Sequence, residues 1–63
     1  MLVKELLDIL PSNQACKLVY IVGDEIEEVK GKASYILNEY PYLMNYEIVT
    51  AYSNNSTLNI CLW

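Results

Sequence analysis

The chain has no His, no Arg and no Phe, and only two Cys, two Gly and two Pro in 63 residues. Each absence removes a class of chemistry. Without His there is no Ser/His or Cys/His nucleophile pair, and Cys16 and Cys61 by themselves are too few ligands for a structural zinc site. Gly23 and Gly31 are the only glycines, so no Gly-rich loop is present to cradle phosphates. The longest uninterrupted apolar run, Leu18 to Val22, is five residues. A membrane span needs about 20 and the apolar stretch of a signal peptide at least about 7. The reading that follows is a non-enzymatic cytoplasmic protein with no metal, no cofactor and no membrane association, its two thiols kept reduced. A chain this short is also expected to lack room for a ligand pocket of about 300 Å³ or more.

What is present favours a folded globule. Hydrophobic residues make up 54% and charged residues 19%, too apolar a balance for disorder. Residues 1–63 read as one small domain, in which folding hides about 60% of the surface the unfolded chain would expose. Eight carboxylates against four lysines leave a net charge of −4.

Two segments carry helical periodicity. Val3, Leu6, Leu7 and Leu10 fall at i, i+3, i+4 and i+7, and Pro11 predicts a stop, giving a helix over 2–9. Ala33, Ile36, Leu37 and Tyr40 repeat the spacing and Pro41 repeats the stop. Between them Lys17 to Val22 is a β-branched and aromatic strand with apolar residues in both alternating sets. Gly23-Asp24 predicts a type II′ turn into an exposed edge strand over Ile26 to Lys30. A third strand is expected from Tyr46 to Tyr52, then a turn at Ser53 to Ser56. The last strand, Thr57 to Trp63, points Leu58, Ile60 and Leu62 one way and Thr57, Asn59, Cys61 and Trp63 the other.

At an offset of 30 the apolar positions of the two halves coincide, as do Pro11 and Pro41. Each half is helix, Pro stop and hairpin, and a lone hairpin is marginal until it packs on something. The expected architecture is therefore α+β, a two-layer fold of order αββαββ, with a four-stranded antiparallel sheet and both helices on one face. The other face would remain open and partly apolar, carrying either Val19 and Ile21 or Leu18 and Tyr20, joined by Cys61 and Trp63. Patches of this kind mark interfaces.

Six tyrosines and one tryptophan in a chain without Phe must divide between core and surface. Tyr40 and one of Tyr20 or Tyr52 are assigned to the core. Tyr35, Tyr42, Tyr46 and Trp63, with Val19 and Ile21, are the interface candidates. Base stacking by these rings would need a cationic groove, which four dispersed lysines do not suggest, so direct nucleic-acid binding is not expected. Asp24, Glu25, Glu27 and Glu28 crowd four carboxylates into five positions. Their spacing does not fit a calcium loop; they read as guards on an edge strand, or alternatively as an acidic imitation of nucleic acid directed at a host defence nuclease. Tyr40-Pro-Tyr42-Leu43 matches a tyrosine-based peptide signal, and Asn54 and Asn55 open glycosylation sequons, but both segments also read as ordinary connections.

The run Val3-Lys4-Glu5-Leu6-Leu7-Asp8-Ile9-Leu10, its Pro-containing loop, and later Gly31-Lys32-Ala33-Ser34 with Ile36-Leu37-Asn38-Glu39-Tyr40 resemble short orphan proteins of phages and integrated mobile elements in AT-rich Gram-positive bacteria. The resemblance implies a role in mobile-element biology through binding a host or phage protein. The functional expectation is a protein–protein interaction module that engages such a partner, or a second copy of itself as a homodimer, through the open sheet face.

Overall fold

The computed structural model describes residues 1–62. In chain order it comprises α1 (Val3–Ile9), β1 (Ala15–Val22), β2 (Glu25–Lys32), α2 (Ala33–Glu39), a 3-10 turn (Pro41–Leu43), β3 (Thr50–Asn54) and β4 (Thr57–Cys61). The uninterrupted order αββαββ is thus not the one observed, since the 3-10 turn stands between α2 and β3. Both helices stop where proline requires: α1 gives way to extended backbone at Leu10, and Pro41 begins the new turn.

The four strands form one sheet of order β2-β1-β4-β3, in which β1 and β4 run parallel and the two hairpin pairs antiparallel. The sheet is therefore mixed, and the all-antiparallel expectation is corrected. Two physical facts account for this. A helix after β2 returns the chain along the sheet, so β3 runs as β2 does and β4, reversed by its hairpin, runs as β1 does. The better apolar strand then takes the centre: Ile60 and Leu62 are buried, whereas all five residues of β3 are exposed. Placing β4 beside β1 buries its inner set, and the polar Thr50–Asn54 segment is left at the edge.

The third strand also starts later than Tyr46. Residues 46–48 tie instead to the amino-terminal segment, through Val3 N–H to Tyr46 O (3.0 Å), Ile48 N–H to Met1 O (2.9 Å) and an isolated bridge between Leu2 and Glu47. At the start of β3, Val49 N–H donates to Cys61 O at 2.9 Å although Thr50 is the register partner of Cys61. Two residues facing one in this way form a β-bulge.

The 30-residue repeat survives in the helix layer. The first N–H groups of a helix lack intrahelical acceptors. Those of Val3 and Lys4 donate to Tyr46 O and Met44 O, beyond α2, while those of Ala33 and Ser34 donate to Gln14 O and Ser12 O, beyond α1. Each helix start is thus satisfied by the loop that follows the other helix. The sheet breaks this symmetry, because β4 rather than β3 lies next to β1.

Both hairpins have two-residue loops. Gly23 has φ of +61° and Asp24 is not in the positive region, the φ pattern of a type II′ turn. In the second, Asn55 and Ser56 have φ of +53° and +64°, as type I′ requires. The loop residues are thus Asn55 and Ser56, closed by the Asn54–Thr57 pair.

A single core unites the layers. Val3 and Leu7 of α1, Ala33 and Ile36 of α2, and Leu43 and Met44 beyond them pack with Cys16, Leu18, Tyr20, Val29, Ile60 and Leu62. Alternation puts these strand residues on the helix side of the sheet and turns Lys17, Val19, Ile21 and Cys61 to the other. Tyr20 is therefore the core tyrosine and Tyr52 is not.

Candidate functional site: the open sheet face

The strand registers arrange the open face in transverse rows. Lys30, Lys17, Asn59 and Tyr52 are successive cross-strand partners, as are Glu28, Val19, Cys61 and Thr50. Ile26 pairs with Ile21, Lys32 with Ala15, and Asn54 with Thr57. One end of the face is apolar and the other is cationic and rich in amides.

At the apolar end Val19 and Cys61 are half-buried, Ile21 is 44% exposed and Ile26 is 62% exposed. Of the two alternatives for this face, Val19 and Ile21 is the set present. The interface candidates do not form one surface, however. Tyr35 and Tyr42 lie on the helix side, where Tyr35, Tyr40 and Tyr42 follow one another edge to face with ring centroids 6.0 Å apart. Tyr46 sits by the amino-terminal end of α1, and Trp63 lies outside the described residues. Tyr40 is half-buried within the tyrosine cluster, consistent with its structural assignment.

The tyrosine cluster has its own electrostatics. Hydrogen bonding to Tyr42, then burial, then the neighbouring Tyr42, Glu27 and Tyr40 push the Tyr20 phenol from its ordinary value up to about 12. Hydrogen bonding to Tyr35 likewise raises Tyr40. The Tyr35 ring also covers Gly31, where an added Cβ would lie 2.6 Å from Tyr35 Cδ2. The absence of a side chain at Gly31 is what lets the edge of the ring come this close to β2.

The acidic cluster is divided by the strand's alternation. Glu25 and Glu27 are partners of Val22 and Tyr20 and face the helix side, Glu28 faces the open side, and Asp24 is in the turn. Glu28 pairs with Lys17 at 3.2 Å. The four carboxylates therefore do not present one continuous acidic surface.

The lysines, by contrast, converge. Lys17, Lys30 and Lys32, three of the chain's four lysines, border a cavity of about 480 Å³ completed by Asn54, Thr57 and Asn59. Both the expectation of no room for such a pocket and the expectation of dispersed lysines are corrected. The missed signal was the even spacing of Lys30 and Lys32, which places both on one face of β2, opposite Lys17 in a two-residue hairpin register.

Burial raises the Cys16 thiol above its ordinary value. Cys16 is on the helix side and Cys61 on the open side, so the two thiols are free and face away from each other. Among the described residues no group of three or more His, Cys, Asp or Glu could hold a metal ion, and no helix is long and apolar enough to cross a membrane. Comparison of the chain with protein-family models, with curated proteins and with solved structures finds no match.

Proposed function

We propose that this chain is a protein-binding module whose working surface is the apolar end of the open sheet face, and that it acts by docking rather than by catalysis. The observation that supports this reading is the combination of Val19, Ile21, Ile26 and Cys61 on a face over which no helix packs, with Ile21 and Ile26 substantially exposed. Apolar side chains held side by side on a rigid sheet lose little entropy when covered, and hydrophobic contact at about 25 cal/mol per Å² supplies the attraction. The partner is another protein or a second copy of the chain. The β2 edge, with five charged residues in Glu25–Lys32, resists strand addition, whereas the β3 edge Thr50–Asn54 has none.

The test is light scattering across a concentration series, together with capture from lysate, for the wild type, Ile21→Asp and Lys4→Gln. The expected outcome is self-association or a retained protein that Lys4→Gln preserves and Ile21→Asp abolishes, with far-UV circular dichroism unchanged. A monomer at all concentrations that retains no protein sensitive to Ile21→Asp would reject the reading.

A further inference from the structure

The cationic end of the same face supports a separate function. In the β1–β2 hairpin the closing pair Val22–Glu25 is hydrogen-bonded, so alternation makes Lys17 and Lys30 a non-hydrogen-bonded pair, the class in which side chains stand closest. Like charges directly opposite one another destabilise a sheet. Glu28 relieves only Lys17. Lys30 and Lys32 are exposed and have no ion-pair partner among the described residues, although acidic side chains outnumber lysines two to one in the chain. Beside these two ammonium groups the cavity is lined by uncharged hydrogen-bonding side chains. Asn59 uses its Nδ2 on Thr57 O at 3.3 Å, and its amide oxygen makes no hydrogen bond within the described residues. At about 480 Å³ the cavity falls in the range of small-molecule sites and is too large for a lone inorganic anion to fill.

We propose that this cavity binds a phosphorylated small molecule, with its phosphate on Lys30 and Lys32 and a hydroxyl-bearing remainder, such as a sugar, against Asn54, Thr57 and Asn59. Ammonium groups act as point charges for phosphate, and the amides fix the orientation of the rest. Lys17, held by Glu28, contributes field at the back of the site. This inference is independent of the docking surface proposed above, which lies at the opposite end of the face.

The test is a titration of the isotope-labelled full chain with inorganic phosphate, ribose 5-phosphate and ADP, and separately with a single-stranded oligonucleotide, followed by amide chemical shifts and calorimetry. Ribose 5-phosphate and ADP should bind more tightly than inorganic phosphate, with the largest shifts at Lys17, Lys30, Lys32 and Asn59, and weaken as salt rises from about 50 to about 300 mM. ADP binding no tighter than ribose 5-phosphate places the sugar phosphate as the recognised unit; tighter binding shows that the second phosphate or the base is held as well. Lys30→Gln and Lys32→Gln should each cost about tenfold in affinity, in line with a lost charge-assisted hydrogen bond. Lys→Arg at both positions should retain binding, and Lys4→Gln, on α1, should leave it unchanged. The proposal is overturned if none of the three ligands shifts these amides, if Lys4→Gln weakens binding as much as Lys30→Gln, or if only a single-stranded oligonucleotide binds.

Discussion

Replacing Gly31 by alanine puts the packing of the tyrosine cluster to a quantitative test. Gly31 stands opposite Cys16 in the hairpin, and a Cβ there would come within 2.6 Å of Tyr35 Cδ2 and 3.3 Å of Cε2. No relaxed contact is that short, so the ring must leave β2, and because Tyr35 is 48% exposed it can do so by turning into solvent. The cost is the lost packing of the ring and of its edge-to-face contact with Tyr40, together with any strain at a φ of +159°. Overpacking of this kind costs about 1–3 kcal/mol. For a chain of this length that is a large part of a total stability of about 3–9 kcal/mol. Urea unfolding followed by far-UV circular dichroism on the wild type, Gly31→Ala, Tyr35→Ala and the double variant closes a cycle that separates the two causes. If the ring contact dominates, the Gly31→Ala penalty shrinks by at least about 1 kcal/mol once Tyr35 is alanine, whereas backbone strain persists in either background. A Gly31→Ala penalty below about 0.5 kcal/mol, or one undiminished in the Tyr35→Ala background, would refute the argument.

Three further outcomes follow from local geometry. Ser56→Gly should stabilise the chain by about 0.5–1 kcal/mol, since Ser56 holds φ of +64° in a type I′ turn that Asn-Gly favours, and the Ser56 carbonyl that accepts from Gln14 Nε2 is unchanged; a lower urea midpoint would contradict this. In an ultraviolet phenolate titration Tyr20 should ionise last, near 12, and Tyr42→Phe should bring it down. Because the native chain holds that proton while the unfolded chain releases it near 10, the unfolded state binds fewer protons between the two values, and stability falls as pH rises through the interval; six tyrosines titrating together near 10 would dismiss the coupling. Finally, a thiol reagent should label Cys61 in the native state and Cys16, 2% exposed with its thiol raised by burial, only on unfolding; equal labelling rates would show that the β1 core opens freely.

The elements themselves are legible in the residues because each is a local matter. Val3, Leu7, Ala33 and Ile36 fall at helical spacing, Pro11 and Pro41 end the patterns, and Leu58, Ile60 and Leu62 alternate, so helices, hairpins and the buried set of β4 need no tertiary information. The division of β1 between core and open face was not legible, because both of its alternating sets are apolar and period alone cannot choose between them.

What the sequence by itself determined is therefore the inventory: two short helices, two hairpins, a surplus of apolar strand surface, and the absence of His and Arg chemistry. The tertiary structure decided the neighbours. Strand direction follows from the helix that returns the chain, and strand order from the competition between β3 and β4 for the buried place beside β1. That competition is settled by area removed from water, a property of the assembled layers rather than of any segment. The convergence of Lys17, Lys30 and Lys32 has the same origin. Residues distant along the chain become neighbours only when hairpin register and the parallel β1–β4 pairing set them and the Asn54–Asn59 hairpin around one cavity.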